Sequence, residues 1–409
     1  MTTADVVEAV RAASRRGQRV KALGSGHSFS PIAATDGVQI VLGRHRRVLD
    51  IDREAGTVTV EAGIRLRSLA ETLAARGMAL TNLGDIAGQT LAGALATGTH
   101  GTGARFGSLA TQVLALEMVL ADGSVIRAAP DEEPDLFNAA CIGLGALGII
   151  SSVTMACVPA FDLHAVEERA KLESVLSTLT SDLATHDHYE WYWVPHTRLV
   201  RTKANNRTSR PPQGRGRVEE WWDRVMLENV AFGGLCRLDR RIPALVPVLA
   251  PLVAGGRRRE WVERSDRVFT SSRLVHFVEM EYGLPRAALP AVLHALSEVV
   301  DDHRIAFPVQ VRFAAADDIA LSTAHGRESA YVAVHQYRGM PYRRWFEAAE
   351  AIFRQAEGRP HWGKMHSHRA STLAPLYPGW EAFAAVRRRV DPAGMWSNDY
   401  LDRVLGPVG

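Results

Sequence analysis

The sequence predicts an α+β protein built from two domains. Its 409 residues exceed the roughly 250–300 over which a single hydrophobic core keeps growing. Residues 1–157 mix helical apolar spacing with short β-like runs, and from about residue 159 aromatic residues and arginines become more frequent. We therefore expect a first domain over 1–157, a second domain over 158–358 and a C-terminal segment over 359–409.

The first domain is predicted to begin with a helix, because apolar residues recur at helical spacing from Ala4 to Arg16. A second such stretch predicts a helix over 66–76. Ala121-Asp122-Gly123 is typical of a hairpin turn between two strands. The strands predicted in this domain cover 18–23, 38–42, 47–52, 57–61, 112–120, 124–127 and 148–158.

The second domain contains Glu190-Trp191-Tyr192-Trp193, which indicates a strand with large side chains on both faces. A polar stretch rich in Pro, Gly and Arg, residues 205–217, predicts an exposed loop. The remaining patterns predict helices near 218–232, 286–300 and 344–357 and strands near 275–282, 308–315 and 329–337.

The charge balance excludes a strong electrostatic partner. Lys and Arg number 48 against 45 Asp and Glu, so the net charge is only +3 and no nucleic-acid partner is expected. Cys141, Cys157 and Cys236 are odd in number and lack metal-ligand spacing, which predicts a reduced, cytoplasmic protein. The first residues lack a basic stretch followed by an apolar core, so no signal peptide is expected.

An apolar run from Ile242 to Ala254 is flanked by arginines on both sides. Prolines interrupt it, and it is shorter than the ~20 residues that a spanning helix needs. We expect a buried segment between solvated charges, and a monotopic membrane contact is the alternative.

The loop Gly24-Ser25-Gly26-His27-Ser28 is the most informative feature of the chain. An apolar run, 19–23, leads into it, so a strand ends in a glycine-rich turn whose N–H groups can hold a pyrophosphate. Phe29 replaces the third glycine of a Rossmann turn and Pro31 discourages an immediate helix. The loop therefore predicts a different kind of phosphate site, in which a histidine stands beside the bound dinucleotide.

A second glycine pattern, residues 143–148, matches G-x-G-x-x-G but has the wrong context. A Rossmann site needs strand, turn and helix in that order, whereas here a helical stretch (134–142) precedes the glycines and a β-branched run follows them. A nicotinamide-dependent Rossmann enzyme is therefore disfavoured.

A third element, residues 93–103, alternates glycine with threonine and histidine, so that the backbone can approach a ligand while N–H and hydroxyl groups supply donors. Together with the first loop and His361-Trp362-Gly363-Lys364, this pattern resembles the aldonolactone oxidase and alditol oxidase group of the vanillyl-alcohol-oxidase flavoproteins. The resemblance extends over nearly the whole chain. It implies an FAD-binding domain of two subdomains and a cap domain with an antiparallel sheet. It also implies that the C-terminal segment completes the active site and packs on the FAD-binding domain.

The resemblance assigns FAD-binding roles by position. It places the covalent bond to the flavin on His27, and Gln89, where some relatives carry a cysteine, implies a single covalent bond. The residues implied to hold the pyrophosphate are Ala22, Leu23, Gly24, Ser25, Gly26, His27 and Ser28. Those implied to line the flavin are Gly84, Asp85, Thr90, Gly93, Thr97, Gly98, Thr99 and His100, with Ile150 near the adenosine.

The resemblance also implies a substrate site. Catalysis is assigned to Lys364, Arg312 and Gln310, and substrate binding to these three with Asp85 and Gln336. Relatives usually have Glu at position 310, and an amide cannot accept the substrate proton. The proton must then pass to Lys364, to His335 or His366, or to water; otherwise the activity is reduced or the substrate differs. His361, His366 and His368 resemble a metal cluster in composition but lack carboxylate or cysteine support, so no metal is expected.

The implied reaction is oxidation of a sugar-derived secondary alcohol, such as C2 of L-gulono- or D-arabinono-1,4-lactone, with hydride transfer to flavin N5. Gly84 beside the flavin implies access for O2 and release of hydrogen peroxide. Three alternatives remain open, namely an alditol oxidase acting on polyols, a dehydrogenase with a cytochrome or quinone acceptor, and a non-catalytic flavin-binding protein.

Overall fold

The structure, a computed structural model, describes residues 1–213, 232–271 and 275–408. The first domain has thirteen helices and strands in this order: α1 (Thr3–Arg15), β1 (Val20–Leu23), β2 (Val38–Val41), β3 (Val48–Asp52), β4 (Thr57–Glu61), α2 (Leu66–Ala74), β5 (Met78–Ala79), α3 (Leu91–Ala96), β6 (Val113–Val119), β7 (Val125–Ala128), α4 (Pro134–Cys141), β8 (Ile149–Ala156) and β9 (Val158–Pro159).

The cap domain and the C-terminal segment follow. Their described elements are β10 (Asp162–Lys171), α5 (Leu172–Thr185), β11 (His188–Trp193), β12 (Leu199–Thr208), α6 (Phe232–Arg241), α7 (Val246–Val253), β13 (Arg259–Arg264), α8 (Ser265–Phe269), β14 (Phe277–Pro285), α9 (Leu289–Val299), β15 (Val309–Ala314), β16 (Ser329–Tyr337), α10 (Arg343–Gln355), β17 (Arg359–Pro360), α11 (Ala370–Leu373), α12 (Trp380–Val390) and α13 (Asp399–Leu405).

The first domain carries a parallel pair, β1-β2, and an antiparallel sheet of order β3-β4-β8-β6-β7. Strand alternation explains the larger sheet, because Val58 and Val60 of β4 are fully buried while the intervening threonines are half-buried. The glycine loop after β1 and the ends of β6 and β8 border one cleft, so the β1-β2 unit and the five-stranded sheet form its two sides.

The cap is an eight-stranded antiparallel sheet of order β13-β10-β12-β11-β15-β16-β14-β17. Helices α9 and α10 cover it with apolar faces. In α10, Trp345, Ala349 and Phe353 are buried at a spacing of four residues. The sheet brings β11, β14, β15 and β16 side by side, and these strands carry most of the polar residues considered below.

The C-terminal segment returns to the first domain. Its Trp362, Phe383, Trp396 and Leu401 belong to the same buried cluster as the β1 and β8 side chains. Val20 N donates to Met395 O at 2.8 Å, so the backbone also joins the two regions.

Two sequence expectations meet a different outcome, and a third falls outside the described residues. Residues 205–208 are strand and not loop, because they pair with Asp162–Ala165 of β10. The helix expected near 218–232 falls outside the described residues, except for Phe232, where α6 begins. The run 242–254 is not simply buried, since α7 buries Val246 and Ala250 but leaves Val248 and Leu252 69% and 70% exposed. In the parts of the chain that are described, no helix is long and apolar enough to cross a bilayer.

Candidate active site

The first cleft of the molecule, here called the glycine cleft, is lined by the loop after β1 and by parts of α3, β6 and β8. Its empty space, with the open solvent at its mouth included, amounts to about 1250 Å³. Gly24 sits where an added Cβ would collide with Thr90 Oγ1, and Gly26 has a left-handed φ of +68°. Of the predicted cofactor residues, those that line this cleft are Ala22, Leu23, Gly24, Ser25, Gly26, His27, Ser28, Thr90, Gly93, Thr97 and Ile150.

The chemistry of the glycine cleft fits a dinucleotide. Ser25 Oγ and Thr90 Oγ1 are buried and have no hydrogen-bond partner within the protein. Aspartate and glutamate are absent from the described lining residues, so nothing there repels a diphosphate. Two orphaned hydroxyls beside a glycine turn are donors of the kind that phosphate oxygens require.

The turn 143–148 also lines the glycine cleft, which sequence reasoning missed after rejecting it as a Rossmann turn. The order helix, turn, strand is as expected, since α4 precedes it and β8 follows. Leu144 and Gly145 both have positive φ. Lys21 donates to Gly145 O at 2.9 Å and to Trp396 O at 3.0 Å, which joins this turn to the C-terminal segment. Burial lowers the pKa of Lys21 to about 7.

The second cavity, here called the charged cavity, lies between the first domain and the cap sheet. His27, Ser28, Gln89 and Thr97 line both spaces, so the loop histidine stands where they meet. Partial desolvation lowers the pKa of His27, which keeps its imidazole neutral near pH 7. Predicted cofactor residues that line the charged cavity are Gly84, Asp85, Thr97, Thr99 and His100, whereas Gly98 lines neither space.

Gln310 and Arg312 lie on one face of β15, as the alternation predicts. Gln310 Nε2 donates to Glu190 Oε2 at 3.0 Å and to the Tyr192 hydroxyl at 2.7 Å. Arg312 Nε donates to the same Glu190 oxygen at 2.8 Å, and its Nη2 lies 3.4 Å from Asp85 Oδ2. Burial opposes the charge of Arg312, but Glu190 and its neighbours raise the guanidinium pKa well above its usual value.

Lys364 enters the charged cavity from the C-terminal segment and forms an ion pair with Glu279 of β14. The other carboxylate oxygen of Glu279 lies 3.4 Å from His335 Nε2 on β16. Burial would raise the pKa of Glu279, yet Lys364 and His335 outweigh it and lower that pKa to about 2. Glu279 is therefore ionised and balances the charge of the lysine.

A third polar group joins His100, Glu281 and His361, whose ligand atoms lie within 4.8 Å of one another. His100 Nε2 is 3.3 Å from Glu281 Oε1, and its ring stacks on Tyr331 at a centroid distance of 3.6 Å. His361 Nδ1 accepts the N–H of Gly363, which leaves the ring proton on Nε2 and no lone pair there for a metal. The arrangement of these three residues therefore suits a hydrogen-bonded cluster more than a metal centre.

One predicted site residue lies elsewhere. Gln336 faces the opposite side of β16 from the cavity, where its amide donates to Arg304 O at 2.8 Å and to Pro341 O. Its expected role in substrate binding is therefore wrong in geometry, because strand alternation turns the neighbouring His335 toward the cavity. His366 also lies outside the charged cavity and contacts the Tyr400 hydroxyl at 2.9 Å.

Sequence reasoning missed Glu190, Glu279 and Glu281. The signal for the last two was present, since Phe277, Glu279 and Glu281 share one face of an otherwise apolar strand. Two acidic residues on a buried strand face require partners. The partner strands are distant in sequence, so the pattern alone did not show which cations they meet.

Comparisons with known proteins agree with this architecture. The fold matches solved cholesterol oxidases, one of them from Brevibacterium sterolicum at 16% identity and a TM-score of 0.82, covering 99% of this chain and 93% of that one. An FAD binding domain matches residues 1–129. The expected cofactor, FAD, is confirmed by this match. Together with the lactone and alditol oxidoreductases described next, it shows an FAD-linked oxidoreductase that acts on CH–OH groups.

The family described as D-arabinono-1,4-lactone oxidase matches residues 153–404, and the chain belongs to it. A protein from Mycobacterium tuberculosis named L-gulono-1,4-lactone dehydrogenase is 42% identical over 99% of this chain and 94% of its own. L-gulonolactone oxidase of Bos taurus is 35% identical (98% and 93% covered), and alditol oxidase of a Streptomyces species is 31% identical (93% and 89%). The resemblance inferred from the glycine loops and the Trp-Gly-Lys segment is confirmed.

Proposed function

We propose that this enzyme oxidises the C2 hydroxyl of an aldono-1,4-lactone, L-gulono- or D-arabinono-lactone, at the charged cavity. The observation that carries the proposal is the pair of cations, Arg312 and Lys364, that face one cavity next to the glycine cleft. When an alcohol loses its O–H proton and its carbon gives up a hydride, negative charge develops on the oxygen, and cations nearby stabilise that charge. The names of the relatives support a lactone as substrate.

FAD would occupy the glycine cleft with its pyrophosphate on residues 22–28 and would accept the hydride. We propose His27 as the residue that bonds the flavin covalently, and its lowered pKa and its position at the border of both spaces support this. Gln89 lines the same junction and donates to Thr99 Oγ1 at 3.1 Å, so it supports the flavin environment without a second bond.

The chain's own groups divide the remaining work. Arg312 is held by Glu190 and Asp85, which orients its outer N–H groups toward the cavity. Lys364 supplies a second positive charge, balanced by Glu279. Gln310 has both N–H groups engaged, so the atom that it can offer a ligand is its carbonyl oxygen, which accepts a hydroxyl hydrogen bond.

Substrate class is tested by steady-state kinetics with L-gulono- and D-arabinono-1,4-lactone against xylitol and sorbitol. We expect kcat/KM to be higher for the lactones by about tenfold or more, since a ring presents C2 in one orientation. Higher kcat/KM for the polyols would favour the alditol oxidase alternative.

We propose O2 as the electron acceptor, with hydrogen peroxide as product. Gly84 lines the charged cavity without a side chain, and the resemblance places it beside the flavin, where the absence of a side chain would admit O2. Peroxide formation equal to substrate turnover is expected, and turnover that requires a cytochrome or quinone would show a dehydrogenase.

The covalent bond is tested by precipitating the holoenzyme with acid. A yellow pellet is expected from the wild-type protein, and His27→Ala should release its flavin into the supernatant. A white wild-type pellet with a yellow supernatant would contradict the bond.

We propose a cytoplasmic location. Cys141, Cys157 and Cys236 are free thiols whose pKa values are raised by burial, which suits a reducing compartment. Contact with a membrane through the exposed side chains of α7 is the weaker alternative.

A further inference from the structure

The proposed oxidation needs a group in the charged cavity that can accept the substrate proton. Oxidation of an alcohol releases one proton with each hydride, and the amide of Gln310 cannot take it. The carboxylates lining the described part of the charged cavity are already engaged: Asp85 by Ser271 Oγ at 2.6 Å and by Arg312, Glu281 by His100, and Glu279 by Lys364. Carboxylates held by cations are weak bases.

The other basic groups are also occupied. Lys364 donates to Glu279, and an ammonium has no lone pair. His361 Nδ1 accepts from Gly363 N at 3.1 Å, and burial lowers the pKa of His361 to about 4. His100 has contacts like those of His335 below, with Nδ1 2.9 Å from Gly101 O and Nε2 3.3 Å from Glu281 Oε1. His100 is, however, the ion-pair partner of Glu281, whereas Lys364 already fills that role for Glu279, and the ring of His100 is also stacked on Tyr331. His366 lies outside the cavity.

His335 has the geometry of a proton acceptor. Its Nδ1 is 2.9 Å from Pro308 O, a carbonyl that can only accept, so Nδ1 carries the ring proton. In the neutral ring Nε2 then holds the lone pair, at the cavity wall. Glu279 Oε1 lies 3.4 Å from Nε2, where it would stabilise the imidazolium once a proton arrives.

We infer that His335 is the catalytic base of this enzyme and that Glu279 is its positioning residue; this rests on the proposed function. The substrate O–H bond breaks and its proton goes to His335 Nε2, while the C–H electron pair leaves as hydride to the bound flavin and a C=O bond forms. The imidazolium, paired with Glu279, later returns the proton to solvent.

The pH dependence follows from the groups around His335. On β14, His335 faces Glu279 and the ring of Phe277. The C-terminal segment contributes Lys364, which pairs with Glu279. The loop before β15 contributes Phe307 and the carbonyl of Pro308. Arg312, His361 and Glu281 line the same cavity. Because a general base must be unprotonated to act, the rate of flavin reduction should fall toward acid pH and should be level at higher pH.

The test is anaerobic single-turnover reduction of the bound flavin across pH, with the substrate that reduces the wild type. In His335→Gln we expect a limiting rate lower by about 10²–10⁴-fold and loss of the acid limb. Added imidazole should partly restore the rate of His335→Ala. His276→Gln changes an exposed histidine outside the cavity and should match the wild type.

The variant Glu279→Gln distinguishes a role of Glu279 in positioning His335 from a role in packing alone. Without the carboxylate the imidazolium loses its partner, so the acid limb should move to lower pH, whereas a merely structural defect would lower the rate and leave the limb in place. FAD content and the affinity for a non-reacting lactone, measured in each variant, report whether the site is intact.

A wild-type rate and an unchanged acid limb in His335→Gln would overturn the inference while leaving the proposed function standing. A wild-type holoenzyme that no lactone or polyol reduces would overturn both.

Discussion

At the residue scale, Glu190 explains why an amide is compatible with position 310. Its Oε2 accepts from both Gln310 Nε2 and Arg312 Nε. A glutamate at 310 would place a second carboxylate about 3 Å from the first, and like charges that close cannot both ionise easily. The amide therefore keeps Glu190 free to hold Arg312.

We expect Gln310→Glu to lower turnover near pH 7, because the new carboxylate competes with Glu190 for Arg312 and one of the two acids is held protonated. Gln18→Glu, on the exposed surface of the first domain, is the matched control and should have no effect. The measurement is the rate of anaerobic flavin reduction. A higher rate in Gln310→Glu would show that the amide is a defect of this chain.

Gly24 gives a second prediction at this scale. In Gly24→Ala the added Cβ would collide with Thr90 Oγ1, one of the two orphaned hydroxyls, so FAD loading should fall by at least tenfold, equivalent to about 1.4 kcal/mol. Gly43→Ala is the control, since a Cβ there meets nothing within 4 Å. The flavin-to-protein absorbance ratio measures loading, and equal ratios in both variants would contradict the role of the loop.

At the element scale, the strand positions of β15 and the glycine loop after β1 were predictable, since both follow from local alternation and turn chemistry. The partners that these side chains meet in the fold were not predictable. Glu190 meets Gln310 and Arg312 only because β11 pairs with β15 across about 120 residues of chain, and that pairing is a tertiary choice. The error at Gln336 has the same origin, because alternation gives two faces and only the sheet's packing decides which one is the cavity.

The C-terminal segment supports the glycine cleft through Asn398. Its Nδ2 donates toward Pro31 O, Ile32 O and Ala34 O, at 3.2, 3.1 and 2.7 Å, while its Oδ1 caps α13 by accepting from Leu401 N. The loop that it holds lines the cleft.

Asn398→Ala should lower the free energy of unfolding by about 2–3 kcal/mol, from the lost cap and the buried carbonyls left without a donor, and should reduce FAD loading. Asn138→Ala removes two hydrogen bonds, one donated and one accepted, at a more exposed position and should cost less than about 1 kcal/mol. Urea denaturation of both variants makes the comparison. Equal losses of stability would contradict a special role for the C-terminal anchor.

At the scale of the whole molecule, the α+β class could be predicted from the helix and strand patterns, whereas the antiparallel cap was implied by the family resemblance. The charged cavity could not, since it forms where the first domain, the cap sheet and the C-terminal segment meet. Asp85, Arg312 and Lys364 come from these three regions and are each held by a partner distant in sequence. The charged cavity therefore exists only when the three regions are assembled.

The most direct test is anaerobic mixing of the purified holoenzyme with L-gulono-1,4-lactone or D-arabinono-1,4-lactone while the flavin absorbance is followed. We expect a lactone to bleach the yellow flavin within a single turnover, and xylitol and sorbitol to bleach it more slowly. A flavin that stays oxidised with both lactones would contradict it.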